Sequence, residues 1–481
     1  MKYASSIALT ALLALPLAAS ASDQRELQGH QYVKNGSNWE QVGANGQRYR
    51  VNPHVITVKF AETATRSSED ALHEQLDTSV LRRARTGFVD IEIPSGEDVF
   101  EVIDAYLASG SVAIAEPNTF GEYTLVPNDP SYGSEYHLPI IDAEEAWDTT
   151  VGLPSAIVAV LDSGSEFTHE DLGFGTDAYQ NVWLNNGEDA WSDPDNPSTG
   201  NGVDDDNNGY VDDWKGYDFS SGNNNSSGPF FHGTAVAGVL GAKTNNGTGI
   251  AGAAGGWNGV GALVMIAGVG DSFPDGSAID DAILYAADMG AHVVQLSLTV
   301  GASAAIDAAV ADAQDNSNMV VICASGNAGS TTMPYPASNP RIISIGATNA
   351  SDLRAGFSNH GTDLDLSAPG DNIFALDLND GYNFTGGTSF AAPLVSGVVA
   401  LMLSVNPDLT HTEVRQILHD TADKVGGYNY NWDATRPGHS FELGYGRVNA
   451  RRAVEASGGL DIFRDGFESG NTSLWSAAIV D

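Results

Sequence analysis

Three short segments of this 481-residue chain carry side chains that could act together as nucleophile, base and orienting acid. Asp162-Ser163-Gly164 closes an apolar run, Ile157 to Leu161, that reads as a buried strand. A carboxylate at a strand end can be held rigidly, and the glycine lets the chain leave in a tight turn. His232-Gly233-Thr234 opens a helical stretch after a polar, glycine-containing loop. Gly386-Gly387-Thr388-Ser389 runs into the apolar helix Phe390 to Leu403, so a serine hydroxyl stands at a helix N-terminus. Free backbone N–H groups and the macrodipole there favour developing negative charge. Pro393 is expected in the first turn, where its missing N–H would be no loss. A serine hydroxyl is a weak nucleophile until a base takes its proton and a third group orients that base. Each segment alone is a weak signal; in this order, each at an element boundary, Asp162, His232 and Ser389 form a strong one.

A second chemistry is suggested by Asp204-Asp205-Asp206-Asn207-Asn208-Gly209-Tyr210-Val211-Asp212-Asp213. Asp204, Asp206, Asn208 and Gly209 match the opening of an EF-hand-like loop, whose oxygen ligands suit Ca²⁺. Lys215 stands where that loop would carry its bidentate Glu, so the match is incomplete, and a solvated acidic loop is the plain alternative. The other histidines, among them His169, His292, His360, His411, His419 and His439, show no metal-ligand spacing and read as surface or packing residues.

The elements that must position these residues alternate. Apolar runs suited to buried parallel strands lie at Ile157 to Leu161, Val264 to Val269, Val293 to Leu298, Met319 to Ala324, Ile342 to Ala347 and Leu364 to Leu366. Helical patterns lie at His232 to Ala242, Ala278 to Met289, Ala302 to Asn316, Ser389 to Ser404 and Thr412 to Thr421. This predicts an α/β fold, a doubly wound and mainly parallel sheet with its site at the carboxyl ends of strands.

Ahead of it, from Val51, a small α+β module is expected. Val55 to Phe60 and Val89 to Ile93 alternate as strands, and Asp70 to Val80 and Val99 to Ala108 read as helices. Ser111 to Ile114 is a last short strand, leading into Ala115-Glu116-Pro117-Asn118, while the polar stretch up to about Arg50 shows no clear periodicity. Lys2, the apolar Ile7 to Leu17 and Ala19-Ser20-Ala21 read as an export signal cut after Ala21. The expected division is a signal peptide over 1–21, a propeptide over 22–125 containing the 51–120 module, a catalytic domain over 126–459 and a tail over 460–481.

The net charge of −41 argues against nucleic acid and against an anionic membrane surface as partners, since both need clustered Lys and Arg. It fits a highly soluble protein and equally one living in salty surroundings. No stretch after the signal is read as spanning a membrane. Cys323 is the only cysteine, so no internal disulfide can form, and its apolar neighbours make it a small buried filler.

The chain resembles the subtilisin-like serine proteases over nearly all of Pro127 to Glu455. The resemblance rests on Asp162-Ser163-Gly164 followed by His169-Glu170-Asp171-Leu172, and on His232-Gly233-Thr234-Ala235-Val236-Ala237-Gly238. It continues through Ala324-Ser325-Gly326-Asn327, Tyr335-Pro336-Ala337-Ser338-Asn339-Pro340, Gly387-Thr388-Ser389-Phe390-Ala391-Ala392-Pro393 and Gly444-Tyr445-Gly446-Arg447-Val448-Asn449-Ala450. It implies a secreted serine endopeptidase, acting through an Asp162-His232-Ser389 triad on protein or peptide substrates. Asn327 would share an oxyanion hole with the Ser389 N–H. Leu296-Ser297-Leu298 and Ala324-Ser325-Gly326 would grip an extended substrate by backbone hydrogen bonds, although Thr299 departs from the family's usual glycine. Calcium would sit between Asp171, Asn246 and the carbonyls of Thr244, Thr248 and Ile250. The module from Val51 to Phe120 resembles the family's inhibitory pro-domain, which implies a monomeric zymogen that cleaves itself between Asn118 and Asn128, with Tyr123 the favoured position. A catalytically silent binding protein on the same fold is the competing class.

Overall fold

The computed structural model describes residues 24–458 except 36–37, 44–47, 62, 95, 121–124 and 174–179. The expected signal peptide, the tail from 460 and the favoured cleavage position at Tyr123 lie outside the described residues. The chain divides into two compact units, Met1–Tyr123 and Thr124–Asp481.

The first unit contains β1 (Gln24–Leu27), β2 (His30–Asn35), β3 (Asn38–Val42), β4 (Arg48–Phe60), α1 (Arg66–Gln75), β5 (Ser79–Arg83), β6 (Phe88–Glu92), α2 (Val99–Ala108) and β7 (Val112–Thr119). They form one antiparallel sheet in the order β1-β2-β3-β4-β6-β5, with β7 also paired to β4. The polar stretch before Arg50 is therefore a strand meander. Its pattern is weak because few residues point inward: Tyr32 and Trp39 pack edge-on against Phe100 at 5.0 and 4.7 Å. Asp98 ties the meander to α2, accepting from Phe100 N at 2.9 Å as N-cap and from Trp39 Nε1 at 3.0 Å. The helix expected over Asp70 to Val80 instead starts at Arg66 behind a Thr65–Ser68 capping box and ends at Gln75. Asp77, with φ of 52°, turns the chain, and Val80 belongs to β5. Ala115 to Asn118 continue as strand in β7, where Pro117 is tolerated on an edge.

The second unit opens with α3 (Ala143–Trp147) and β8 (Ile157–Asp162), followed by β9 (Tyr217–Asp218), α4 (Phe231–Gly241), β10 (Leu263–Gly268), α5 (Ile279–Asp288), β11 (Val293–Leu296), α6 (Ala304–Ser317), β12 (Val320–Ala324), β13 (Ile343–Thr348) and β14 (Leu366–Pro369). A hairpin of β15 (Ile373–Asp377) and β16 (Gly381–Thr385) follows, then α7 (Thr388–Val405), α8 (His411–Thr421) and α9 (Ala450–Ser457). Seven strands pair in parallel in the order β14-β13-β12-β11-β8-β10-β9. Alternate residues feed the two faces: Val158, Val160, Val264 and Ile266 pack with α4 and α7, while Ala159, Leu161, Met265 and Ala267 pack with α5 and α6. α7 is long and apolar enough to cross a membrane by length and composition, contrary to the sequence reading, yet 89% of it is buried as the central core helix. Cys323 is buried as expected.

The doubly wound α/β class is what alternation predicted. Strand order reverses at β8, whose neighbours β10 and β11 lie on opposite sides, so a crevice opens at the carboxyl ends of β8 and β11. Asp162 and Ser297 stand at those two ends.

Candidate active site

Asp162 is the last residue of β8 and His232 the second of α4. Ser163 clasps the two elements: its Oγ donates to the Phe230 carbonyl at 3.1 Å and accepts from Gly233 N at 3.0 Å. Gly233 is obligatory here, because a Cβ would fall 2.0 Å from the Gly164 carbonyl oxygen. Clasped this way, His232 Nδ1 meets Asp162 Oδ1 at 2.8 Å. The same oxygen accepts from Ser163 N at 2.7 Å, and Oδ2 is buried without a partner. With Nδ1 directed at a carboxylate, the proton belongs on Nδ1 and Nε2 is left as the basic nitrogen. Burial opposes the charged imidazole, but the Asp162 charge and hydrogen bond outweigh it and hold the His232 pKa above its ordinary value.

Ser389 is the second residue of α7, whose ring neighbour Phe390 lies 5.6 Å from His232. The helix starts at Gly387 with no side-chain cap. Asn327 Oδ1 accepts from Thr388 N at 2.8 Å and from Thr388 Oγ1 at 2.9 Å, which orients the amide so that Nδ2 remains available to donate. A Cβ on Gly387 would lie 3.3 Å from Asn327 Nδ2 and 3.6 Å from Ser389 N, so the two donors border one space that a glycine leaves open. An oxygen carrying developing negative charge fits between them.

The expected substrate segments flank this space. Leu296 is buried in β11, Ser297 O lies 3.5 Å from Ser389 Oγ, and Ser297 Oγ donates to the Ser389 carbonyl at 2.7 Å. Leu298 is half-buried against the α5–α6 side of the core. Ala324 ends β12, and Gly326 N donates to Thr388 Oγ1 at 3.1 Å. The carbonyls of Ser325 and Gly326 accept from Asn359 Nδ2 at 2.8 Å and Asn359 N at 2.9 Å. Asn359 also accepts from Ala328 N and Ser330 N through its Oδ1, at 3.1 and 2.9 Å. Sequence reading missed Asn359, which is buried and organises the whole Asn327 loop; its only signal was a polar residue in a glycine-flanked turn.

The first calcium set comes together in part. Asp171, fully buried, accepts from Asn246 Nδ2 and Ile250 N, both at 2.8 Å, and Asn246 Oδ1 takes Thr248 N at 2.8 Å. Thr244 is engaged elsewhere, its carbonyl accepting from Asn258 N at 3.0 Å. Asp129, which the sequence did not single out, clamps the same loop by accepting from Asn245 N at 2.7 Å and Asn246 N at 3.0 Å. Burial pushes the Asp171 pKa up to about 7, assisted by the Asp129 charge. Buried carboxylates with oxygen-rich surroundings are what a hard divalent cation satisfies.

The Asp-rich loop departs from the EF-hand expectation. Asp204 caps its own turn, accepting from Asn208 N at 3.0 Å and Gly209 N at 2.9 Å. Asn208 turns its Nδ2 to Asp213 Oδ2 at 3.0 Å. The carboxylates that converge are Glu188, Asp206 and Asp213, with donor atoms within 4.8 Å of one another, and Glu188 Oε2 is buried without a partner. Of the predicted ligands, Asp206 is one of these carboxylates and Asn208 borders them, its Nδ2 donating to Asp206 Oδ2 at 3.2 Å as well as to Asp213, while Asp204 is engaged in its own turn. Lys215 is not in a ligand position: it is buried, with Nζ 5.2 Å from the Phe167 ring centre, 5.4 Å from that of Trp214 and 3.7 Å from Asp195.

Residues 154–446 match the subtilase family model, and residues 40–118 match the fervidolysin N-terminal prodomain model. The chain is 33% identical over 360 residues to the thermophilic serine proteinase of Bacillus sp. (strain AK1), covering 74% of this chain and 76% of that protein. Thermitase of Thermoactinomyces vulgaris is 34% identical over 68% of this chain and 99% of its own length. The halolysin of Haloferax mediterranei is 34% identical over 74% of this chain and 60% of its own length. Among solved structures, a protease from Pseudoalteromonas arctica PAMC 21717 aligns with a TM-score of 0.53 and 25% identity, over 69% of this chain and all of that one.

Proposed function

Since the chain belongs to the subtilase family of serine endopeptidases and carries an N-terminal prodomain, we propose that Asp162, His232 and Ser389 cleave peptide bonds through an acyl-enzyme. The observation that carries this reading is the 2.8 Å bond from His232 Nδ1 to Asp162, which leaves Nε2 as the base. Ser389 Oγ attacks the carbonyl carbon as its proton passes to Nε2. Asn327 Nδ2 and the Ser389 N–H stabilise the oxyanion. The tetrahedral centre collapses, the C–N bond breaks, and the imidazolium gives its proton to the leaving amine while Asp162 stabilises the charge. Water, deprotonated by His232, then releases the acid by the same steps in reverse.

Ser297 O and the Ala324 to Gly326 segment bind the acyl half of the substrate as an added strand. Residues 22–125 form a propeptide that assists folding and blocks the cleft until it is cut off by Ser389, leaving a catalytic domain that starts near Val126 and acts as a monomer. The relatives named extracellular support export through the N-terminal apolar segment. Asp171 with Asn246, and Glu188 with Asp206 and Asp213, would hold calcium, which supplies structural cross-linking of surface loops and takes no part in the chemistry.

The test is casein hydrolysis and fluorophosphonate labelling by the refolded precursor beside Ser389→Ala. Wild type should mature, label and hydrolyse; Ser389→Ala should stay full length after signal removal and do none of these. A matured wild type that neither labels nor cuts would leave the silent-scaffold reading standing.

A further inference from the structure

The helix that carries Ser389 has a gap in its own hydrogen bonding. α7 starts at Thr388, two residues before the apolar run, so Pro393 is its sixth residue and lies beyond the first turn. A helical N–H donates to the carbonyl four residues back, and proline has no N–H to give. The carbonyl that loses its regular partner is that of Ser389. A donor from outside the helix takes the place: Ser297 Oγ, just past the carboxyl end of β11, donates to it at 2.7 Å. Behind Ser297 stands Gln295, whose Nε2 donates to Ser297 Oγ at 2.6 Å.

Strand geometry puts the two side chains in line. Residues two apart share a face, so Gln295 follows Val293 onto the side of the sheet that packs with α7. Its lateral neighbours there are Val160 of β8 and Ile322 of β12. The amide is fully buried, and its Oε1 has no hydrogen-bond partner among the described residues. An amide among aliphatic side chains opposes folding unless both its ends are paired, so packing alone would favour an apolar residue at this position. The direction of each proton follows from the chain of contacts. A carbonyl only accepts, so the Ser297 hydroxyl must donate to Ser389 O. Its lone pairs are then free for a donor, and only the Nε2 end of Gln295 is one. The amide thereby locks the hydroxyl with its proton towards Ser389.

We propose that Gln295 is a positioning residue for the nucleophile: acting through Ser297 Oγ, it holds the Ser389 carbonyl against β11 and so fixes the residue that carries both the attacking Oγ and the oxyanion-directed N–H. This rests on the acyl-enzyme reading of Ser389. The same Ser297 reaches the other side of the nucleophile, its carbonyl lying 3.5 Å from Ser389 Oγ. No proton passes along the Gln295–Ser297 chain, which sets geometry alone. A nucleophile displaced from its line of attack slows the chemical step while substrate binding is kept, so the effect belongs in kcat.

The experiment compares matured wild type with Gln295→Met, an apolar side chain of similar length. Peptide hydrolysis is normalised to active sites by fluorophosphonate labelling taken to completion. Gln295→Met should lose roughly tenfold in kcat, the worth of one hydrogen bond felt in the transition state, with KM unchanged. Its melting temperature should equal or exceed that of wild type, because a buried unpaired oxygen has gone. A residue with a purely structural role would move the melting temperature and leave kcat per active site alone. Ser297→Ala, the smaller change, should lose the same factor, and the double variant no more than either single one. Pro393→Ala returns a helical N–H to the Ser389 carbonyl, so in that background either change should cost less than about threefold. Should Gln295→Met not mature, Ser297→Ala with and without Pro393→Ala decides the matter. Wild-type kcat in Gln295→Met, or a loss undiminished in the Pro393→Ala background, would overturn the proposal while leaving proteolysis intact. Wild type that neither labels nor cleaves would instead remove the reading beneath it.

Discussion

Asn359 holds Ser325 from two directions: its Nδ2 donates to the Ser325 carbonyl at 2.8 Å, and its own carbonyl accepts from Ser325 Oγ at 3.3 Å. Through its Oδ1 it also gathers Ala328 N and Ser330 N, so the turn carrying Asn327 is fastened on both sides. Asn359→Ala leaves these buried groups without partners, at a cost of about 1–3 kcal/mol for each unsatisfied group. With Asn327 in its proposed oxyanion role, the larger kinetic effect should fall on kcat, by roughly tenfold, because that role acts on charge that exists only in the transition state. Steady-state kinetics beside a melting curve checks this. A variant that melts lower yet keeps its kcat would make Asn359 a purely structural residue.

With His232 as the proposed base, the His232–Asp162 pair would fix the acid side of the activity profile. His232 must be neutral at Nε2 to accept a proton, so activity is present above its pKa and falls as pH drops through it. Burial lowers that pKa and Asp162 raises it by more, which puts the midpoint above the ordinary histidine value. Asp162→Asn should shift the limb of kcat/KM to lower pH and reduce kcat by about 10⁴. An unmoved acid limb would show that another group titrates there.

Which parts were legible follows from where the constraint lies. Asp162, His232 and Ser389 each sit at an element boundary that local sequence marks, because a buried strand must end and a helix must begin there. The convergence of Glu188 and Asp213 on Asp206 could not be read locally because these partners are distant in sequence, whereas Asp204 closes its own turn. Lys215 looked like a failed ligand and is an ammonium packed on Phe167 and Trp214, a contact that no local pattern encodes. The β1–β3 meander escaped because two inward aromatics, Tyr32 and Trp39, are too few to show alternation. The β15–β16 hairpin escaped because no residue of its second strand is buried.

Asp365 should dominate acid stability of the catalytic unit. It is fully enclosed; burial alone would raise its pKa, but His419 at 2.9 Å and Arg415 at 2.8 Å hold it well below the usual carboxylate range. With a folded pKa below the unfolded one, its contribution is complete above about pH 4 and is lost as pH falls towards the folded value. Asp365→Asn should cost roughly 3–5 kcal/mol at pH 7, as expected for breaking a buried pair. Melting temperatures of the two proteins should converge when measured towards pH 2. Equal melting at pH 7 would show that the network contributes nothing net.

Asp171 has the opposite sign. Burial raises its folded pKa to about 7, so the cation-free protein is most stable below the unfolded carboxylate value and loses that contribution as pH rises through 7. Calcium bound at the proposed site would offer the same carboxylate a partner that does not leave at high pH. Calorimetry at pH 5 and pH 8, with chelator and with calcium, should therefore find the larger calcium-linked rise in melting temperature at pH 8. A site filled at 100 to 1,000 times its Kd contributes about 2.7–4.1 kcal/mol. Asp171→Asn should reduce the pH dependence and remove one site's share of the stabilisation, while Glu188→Gln should remove a separate share, since burial also raises the pKa values of Glu188 and Asp213. Identical melting with chelator and with calcium at both pH values would reject both sites together; loss of the effect in Asp171→Asn alone would reject the Glu188–Asp206–Asp213 site.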